Sequence, residues 1–478
     1  MHEFFMELSF WVNLFFFGYF GVINVLYSIL LVLGTITVYR RRKELSIEHL
    51  SSILRSNSLP EISFFVAAWN ESKNICPVVD NLLNLSYRYK QVIVINDGST
   101  DNMMELLKEK YQLVPIPIYY EHTLPTAHVR NLFKSVKRPE LLVIDKDNGN
   151  KHDAINAAIN ACHNKYYIGV DADTFVDDES FEALIHPMLM DPEMVAMGTS
   201  VRIRNGCLLH FNKISTNLFP IDYVSAMQSL EYLRSFLMRQ GWDYLGGNFC
   251  LSGAFSIFVT DVVRKLGGYA PTHANDLEIT LRLHHAMLAS KTPYKMQYIP
   301  DPVGWTEVPP TIKVLAGQRF TWQRSTMDSF WYHRKMFFNP FYGMFGMLSF
   351  PFLFFGEILE AIVEMLGYIY IVLGCAFGII NSWNAFLLLG IILGFTFVHT
   401  LYCLIIEELS FRKYPSPRSL FYLFVYSLIE NIGYRQLSLI WRIKGFFGFF
   451  KRWDIVQQQS EEINRNMNKV IEKGRIKF

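Results

Sequence analysis

Residues 166–173 (YYIGVDAD) form an apolar run that ends in two aspartates one residue apart. Similar apolar runs precede it at residues 62–67 (ISFFVA), 92–95 (VIVI) and 141–144 (LLVI). These apolar runs indicate strands that are buried on both faces, and segments of helical length lie between most of them. Such alternation predicts an α/β domain with a mostly parallel sheet and helices on both faces.

Polar clusters follow three of the predicted strands. They are Trp69-Asn70-Glu71, residues 96–101 (NDGSTD) and Asp171-Ala172-Asp173. Ligands of such sheets bind outside the carboxyl ends of the strands, so the clusters predict a binding site there. Taken alone, Asp171-x-Asp173 is more typical of a surface turn. In this series it predicts a Mg²⁺ or Mn²⁺ site, because both ions prefer hard oxygen ligands.

The ends of the chain are apolar and predict membrane segments. Of 478 residues, 51% are hydrophobic and 18% charged, which is typical of a membrane protein. Residues 10–38 are almost uncharged and long enough to cross a core of roughly 30 Å. Residues 40–43 (RRRK) follow, and by the positive-inside rule they place the next domain in the cytosol.

A second apolar region predicts an out-and-back hairpin of residues 350–380 and 384–406. Arg412, Lys413 and Arg418 mark a cytosolic loop after it. Residues 419–450 are apolar but carry internal charges. They fit either a span that returns or amphipathic helices at the membrane surface.

The predicted domains are an N-terminal transmembrane helix with its basic flank (1–45), a cytosolic α/β domain (46–335), membrane and interfacial helices (336–453) and a polar cytosolic tail (454–478). A net charge of +2 with no basic stripe excludes a typical nucleic-acid binder. The six cysteines lack CxxC pairing, which argues against a disulfide framework or a zinc site.

The ordered series of motifs resembles the family 2 inverting glycosyltransferases with membrane helices, such as bacterial cellulose, hyaluronan and poly-N-acetylglucosamine synthases. The resemblance covers residues 60–330 and implies a GT-A glycosyltransferase fold. The matching positions are Asn70-Glu71, Asp97-Gly98-Ser99, Lys151, Asp171-x-Asp173, Asn275-Asp276 and Gln318-x-x-x-Trp322.

The resemblance implies a binding site for a UDP-sugar donor. Asp97 would contact uracil, Asp171 would hold ribose or phosphate, and Asp173 would ligate a Mg²⁺ or Mn²⁺ that bridges the diphosphate. Such a metal stabilises the negative charge that develops on the leaving UDP. The donor-binding residues implied are Asn70, Glu71, Asp97, Lys151 and Asp171, together with Arg319 or Arg324.

Asp276 is the predicted catalytic base. Inversion needs one group to take the proton of the acceptor hydroxyl, and a carboxylate suffices. Glu278 competes for this role, but residues two apart do not share one helical face. Asn275 stands where the family has an acidic residue, a departure that leaves Asp276 intact.

Gln318 and Trp322 are the predicted acceptor residues, since an indole offers a sugar ring a flat apolar face. Thr321 stands where the family usually has an arginine before the tryptophan, which leaves open whether Arg319 or Arg324 binds the diphosphate.

The segment 246–255 (GGNFCLSGAF) resembles the acceptor side of these synthases. Its small residues, Ser252 and Gly253 among them, would let a sugar approach the backbone. Glu357, Glu360 and Glu364 would either line a path for the glycan or lie at the membrane surface.

The resemblance therefore implies a processive, multi-pass synthase of the plasma membrane. It would polymerise a cytosolic UDP-sugar into a β-linked polysaccharide and pass this polymer across the bilayer. UDP-glucose is favoured over UDP-N-acetylglucosamine. A non-processive lipid glycosyltransferase and a catalytically inactive membrane scaffold are the alternatives.

Overall fold

The computed structural model describes residues 2–47, 59–120, 122–210, 213–216, 222–411 and 417–476. The strands are β1 (Ile62–Ala68), β2 (Lys90–Asp97), β3 (Leu113–Ile116), β4 (Val129–Ser135), β5 (Leu141–Lys146), β6 (Tyr166–Asp171), β7 (Phe175–Val176), β8 (Met194–Ile203), β9 (Leu208–His210), β10 (Lys213–Thr216), β11 (Phe255–Val259) and β12 (Lys295–Thr306).

Helices lie between the strands and on both sides of the sheet-forming region of the chain. They are α1 (His2–Ile47), α2 (Ile75–Leu83), α3 (Met103–Tyr111), α4 (Asn150–Ala161), α5 (Asp178–Met190), α6 (Tyr223–Tyr244), α7 (Thr260–Lys265), α8 (Asn275–Ala289), α9 (Ile312–Tyr332), α10 (Phe350–Phe352), α11 (Glu360–Ala376), α12 (Ser382–Leu389), α13 (Phe395–Ser410), α14 (Pro417–Ile429), α15 (Tyr434–Phe450) and α16 (Trp453–Ile471).

The described strands form a mixed sheet with the order β3-β4-β5-β2-β1-β6-β11-β8-β12-β7. Its central strands β5, β2, β1 and β6 are parallel, which confirms the predicted α/β fold. Val66 of β1 pairs with Val94 and with Val170, while Ala67 pairs with Asp171 and Ala68 with Asn96. The polar clusters after β1, β2 and β6 therefore lie along the same edge of the sheet.

The flanks of the sheet differ from its centre in strand direction. The strand β4 runs antiparallel to β5, and β11 runs antiparallel to both β6 and β8. A short apolar run carries no information about strand direction, so these antiparallel strands were not predictable from their composition.

Among the described helices, Ser9–Lys43 and Ser382–Ser410 are long and apolar enough to cross a membrane. They coincide with the predicted spans at 10–38 and 384–406. The predicted span at 350–380 falls on a pair of helices, Phe345–Ile358 and Glu360–Ala376, that are bent by 44° and would make a third span if counted as one. Wide π-helical turns at Phe345–Ser349 and Leu353–Ile358 flank Pro351 before the bend, and both features commonly kink helices.

The ambiguous segment 419–450 forms the two helices α14 and α15 rather than one long helix. Gly433 separates them with a φ of 86°, a conformation that favours glycine. The predicted loop residues Arg412 and Lys413 lie outside the described part of the chain.

Two glycines bring α1 into direct backbone contact with α6. A Cβ atom on Gly34 would lie 2.2 Å from the carbonyl oxygen of Leu237, and one on Gly241 would lie 2.1 Å from that of Leu30. Small residues at a helix crossing allow such close approach of two backbones. Since α6 also packs on β8 and β12, it connects the first apolar helix to the sheet.

We expect Gly34→Ala to destabilise the protein by about 1–3 kcal/mol, because the new methyl group would force α1 away from α6. Gly18→Ala on the same helix is the control, since a Cβ there would meet nothing within 4 Å. Equilibrium unfolding in detergent measures both changes. Equal stability of the two variants would contradict the close helix contact.

Candidate functional site

A cavity of about 640 Å³ lies at the carboxyl end of β6 and continues between α1, α6, α9, α11 and α15. It brings together residues that are far apart in the sequence. The predicted site residues that line it are Lys151, Asp171, Asp173, Ser252, Gly253, Asp276, Gln318, Arg319 and Trp322.

The carboxylates at the end of β6 lie beside a lysine from the first turn of α4. Lys151 Nζ donates to Asp171 Oδ1 and lies 3.5 Å from the carbonyl oxygen of Gly253. Burial alone would lower the pKa of Lys151, but Asp171, Asp276 and Asp173 raise it. The lysine therefore carries a positive charge at the junction of these carboxylates.

Asp173 is suited to hold a divalent cation. Its Oδ1 accepts hydrogen bonds from Thr306 Oγ1 at 3.0 Å and Thr174 Oγ1 at 3.3 Å. Burial, together with the nearby charge of Asp171, raises the pKa of Asp173 to about 7. A cation would relieve this repulsion, and Mg²⁺ and Mn²⁺ take one or two carboxylates and fill their other positions with phosphate and water. Among the described residues no group of three or more His, Cys, Asp or Glu side chains forms a complete metal site.

Asp276 lies at the start of α8 and faces the cavity. Cys250 Sγ lies 3.6 Å from Asp276 Oδ2, and burial raises the pKa of the thiol, which therefore keeps its proton. A Cβ atom on Gly253 would lie 3.1 Å from the same carboxylate oxygen. A glycine at position 253 thus leaves room beside Asp276.

Glu278, two residues further along α8, points into the protein instead. It is fully buried and pairs with Arg282 and with His333. Burial alone would raise its pKa, but Arg282 and His333 hold the pKa at about 2. Of the two carboxylates, therefore, Asp276 is the one that a ligand in the cavity can reach.

The polar clusters after β1 and β2 hold each other in place. Asn70, at a φ of 57°, accepts hydrogen bonds through Oδ1 from the backbone nitrogens of Thr100 at 2.8 Å and Asp101 at 3.3 Å. Glu71 accepts from Asn74 Nδ2 at 3.2 Å. Asn70 and Glu71 thus shape these loops without lining the cavity.

Asp97 is also buried and lies outside the cavity lining. Its Oδ1 accepts from Lys146 Nζ at 2.6 Å and from the backbone nitrogen of Gly149 at 3.0 Å. This pair fixes the turn that leads into α4 and its Lys151. The predicted nucleotide contacts of Asn70, Glu71 and Asp97 stay predictions.

Of the predicted acceptor residues, Gln318 and Trp322 lie on one helix, α9, and Trp322 is on the cavity wall and 38% exposed. Gln318 Oε1 is buried and has no hydrogen-bond partner within the described chain. Arg319 pairs with Glu231, whereas Arg324 lies outside the cavity lining with its guanidinium over the ring of Phe320. Neither arginine presents a free guanidinium to the carboxylates of β6.

Carboxylates on the bent apolar helices face protein partners from α15. Glu364 is buried and accepts from Arg435 Nε at 2.5 Å, and Glu360 lies 3.2 Å from Arg442 NH1. Glu357 lines the cavity nearby. The arginines that interrupt the apolar segment 419–450 therefore neutralise acidic residues of another helix.

Sequence reasoning missed several cavity residues on α6, which include Glu231, Arg239 and Trp242. This helix carries no recognisable motif, and only its packing shows that it forms a wall of the site. The pairing of Glu231 with Arg319 across 88 positions likewise has no signal in a single sequence.

A family model described as "Glycosyltransferase like family 2" matches residues 60–325. The poly-beta-1,6-N-acetyl-D-glucosamine synthase of Staphylococcus aureus (strain COL) is 27% identical over 310 residues, which are 64% of this chain and 64% of that protein. The Staphylococcus epidermidis protein of the same name is 28% identical over 264 residues, or 55% of this chain and 53% of that protein. The matches thus span less than two thirds of either relative.

Two solved structures are similar to this chain at low sequence identity. The mannosyltransferase PcManGT from Pyrobaculum calidifontis, in complex with GDP-Man and Mn²⁺, is 14% identical with a TM-score of 0.46, covering 85% of this chain and 99% of that one. S. aureus TarS 1-349 in complex with UDP-GlcNAc is 13% identical with a TM-score of 0.38, covering 79% and 90%.

Amide substitutions at the two carboxylates of α8 separate a cavity residue from a structural one. We expect Glu278→Gln to cost about 3–5 kcal/mol of stability, because it breaks a buried pair and strands the charge of Arg282. Asp276→Asn, the matched control, changes stability by less than about 1 kcal/mol, since its side chain faces the cavity. Equilibrium unfolding in detergent tests both, and a larger loss for Asp276→Asn would contradict these assignments.

Proposed function

The chain belongs to glycosyltransferase family 2, and on that premise we propose that it is a processive membrane synthase that extends a β-linked polysaccharide. The observation that carries this proposal is the continuous cavity. It joins the carboxylates of β6, the carboxylate of Asp276 and the indole of Trp322, and then continues between apolar helices. A polymer extended beside Trp322 would thus have a path into the membrane region.

In the proposed reaction the donor diphosphate lies beside Lys151 and Asp173. Lys151 contributes a positive charge next to the leaving phosphate. A divalent cation held at Asp173 would further stabilise the negative charge that develops on the leaving phosphate. Asp171 orients Lys151 through their ion pair.

Asp276 acts as the catalytic base. Its carboxylate takes the proton of the acceptor hydroxyl while that oxygen attacks the anomeric carbon from the face opposite UDP. The Cys250 thiol stays protonated, and its S–H donates a hydrogen bond to Asp276 Oδ2. This hydrogen bond restrains the carboxylate. Attack from the opposite face inverts the configuration, so an α-linked donor gives a β-linked product.

The acceptor sugar rests on Trp322, whose indole gives it a flat apolar face. The unpaired Oε1 of Gln318 is available to accept a hydrogen bond from a sugar hydroxyl. Ser252 and Gly253 also line the cavity. Beyond Trp322, Glu357, Glu360 and Glu364 give the path a polar lining.

We propose UDP-N-acetylglucosamine as the donor and poly-N-acetylglucosamine as the product. The support is the kinship with the two staphylococcal synthases, whose names specify this sugar. UDP-glucose, which the sequence alone favours, becomes the competing donor. The apolar helices support a location in a membrane, and the basic residues 40–43 support a cytosolic position of the catalytic domain.

Purified protein in detergent, given UDP-N-acetylglucosamine and Mn²⁺ or Mg²⁺, should form a product of high molecular weight. UDP-glucose and UDP-galactose in parallel reactions test the choice of sugar. Chelation of the metal with EDTA should stop transfer, and added Mn²⁺ should restore it. Size-exclusion chromatography of radiolabelled product provides the measurement.

Two outcomes would overturn parts of the proposal. Transfer of a single sugar to lipid would show a non-processive lipid glycosyltransferase. Polymer formed from UDP-glucose alone would keep the processive synthase and reject the choice of N-acetylglucosamine.

Asp276→Asn should lower kcat by about 10²–10⁴-fold, because an amide cannot take the proton of the acceptor hydroxyl. Binding of the UDP-sugar, measured by calorimetry in the presence of Mn²⁺, should stay within about twofold of the wild-type value. The control is Asp261→Asn, which removes an exposed pair with Arg264 on α7. Wild-type turnover in the Asp276→Asn variant would assign the base to another residue.

A further inference from the structure

The acceptor tryptophan is covered on one side by an arginine of its own helix. The guanidinium carbon of Arg319 lies 4.7 Å from the centroid of the Trp322 ring. Residues three apart on a helix are neighbours, and a guanidinium over an indole face is an attractive arrangement. Trp322 therefore has one face on Arg319, and its exposed surface lines the cavity.

Arg319 is in turn held by a carboxylate from a different part of the chain. Its NH2 group donates to Glu231 Oε2, and the hydroxyl of Tyr434 donates to the same oxygen at 3.0 Å. The side chains of Arg319 and Glu231 are only 11% and 23% exposed. An ion pair that is this well shielded holds its geometry better than one at the surface.

These residues come from three segments of the chain that meet only in the fold. Glu231 lies on α6, Arg319 and Trp322 on α9, and Tyr434 at the start of α15. A second contact also joins α6 to the C-terminal helices. Arg234, one turn along α6, donates to Glu430, which directly follows α14, at 2.6 Å. The orientation of the indole thus depends on how the C-terminal helices pack against α6.

We propose that Glu231, supported by Tyr434, is a positioning residue that orients Trp322 through Arg319, and that Arg319 does not bind the donor diphosphate. The proposal rests on the function proposed above, in which Trp322 carries the acceptor sugar. The flat face of the guanidinium is taken by the indole and its NH2 group by the carboxylate. The positive charge next to the diphosphate comes from Lys151.

Positioning through Arg319 makes the acceptor, and not the donor, sensitive to Glu231. Without the carboxylate, Arg319 loses its anchor, and Trp322 loses the restraint that presents its free face to the sugar. Weaker binding of the acceptor with unchanged chemistry raises the acceptor KM and leaves kcat in place. A diphosphate ligand would instead change the donor KM or kcat.

The test is a double-mutant cycle of Glu231→Gln and Trp322→Phe, assayed with a β-linked N-acetylglucosamine pentasaccharide as acceptor. Glu231→Gln should raise the acceptor KM about tenfold and keep kcat and the donor KM within about twofold. In the Trp322→Phe background the same substitution should have little further effect, because the residue through which it acts has changed. Tyr434→Phe should give a smaller effect of the same kind.

Glu407→Gln is the matched control. Glu407 forms a buried pair with Arg202 at 2.5 Å between β8 and α13, and neither residue lines the cavity. Glu407→Gln should lose about as much stability as Glu231→Gln and leave the acceptor KM unchanged. Additive effects in the cycle, or a donor KM raised by Glu231→Gln, would overturn the proposal.

The wild-type enzyme separates this proposal from the function on which it rests. If wild-type protein forms no polymer but transfers one sugar to a lipid, the processive function fails. The cycle is then run with that lipid acceptor. Its non-additivity still decides the role of Glu231.

Discussion

Charged side chains on the apolar helices have to find opposite charges inside the protein, and much of this structure follows from that constraint. An isolated charge in a lipid environment is costly, and a buried charge is tolerated when it is paired and hydrogen-bonded. Glu364 meets Arg435, Glu360 meets Arg442, and Glu430 meets Arg234. Each pair joins helices distant in sequence, so the pairs select how α6, α11, α14 and α15 assemble.

The same pairs build the wall of the cavity that the proposed function needs. Their members face a common lumen, and the chain thus encloses a polar path between apolar helices. Hydroxyl-rich polymers need hydrogen-bonding partners along such a path. In contact with an apolar wall, their hydroxyl groups would lose their hydrogen bonds to water and gain none in return. The same arrangement therefore neutralises these charges and would supply the polar path that the proposed polymer needs.

The sequence predicted the parts of the structure that local patterns encode. The apolar strands β1, β2, β5 and β6 and the polar residues at their ends follow directly from composition, and the common register then places Asp171 and the loop of Asp97 on one edge. The direction of β4 and β11 depends on long-range pairing, which short apolar runs do not encode. The bend before Glu360 was not predicted, because the length of an apolar segment says nothing about the geometry of its helix.

Predictions of the site divided along the same line. Helical spacing indicated that Asp276 and Glu278 do not share one face, and the family resemblance favoured Asp276. In the structure Glu278 pairs with Arg282 and His333. The side-chain oxygen of Asn70, predicted to bind the donor, accepts a hydrogen bond from the neighbouring loop. Arg435 and Arg442 interrupt the apolar segment in the sequence. Their partners, Glu364 and Glu360, lie on another helix, and a single segment does not reveal such a pairing. Glu231 left no local signal at all.

The glycine contact between α1 and α6 would let the lipid bilayer influence the proposed catalysis. A transmembrane helix tilts when the bilayer is thinner or thicker than its apolar length. Gly34 and Gly241 hold the two backbones in contact, so a tilt of α1 would be passed to α6, which carries Glu231 on the cavity wall. Membrane thickness would then affect how well the protein holds the proposed acceptor, and lipid composition would affect the length of any polymer formed there.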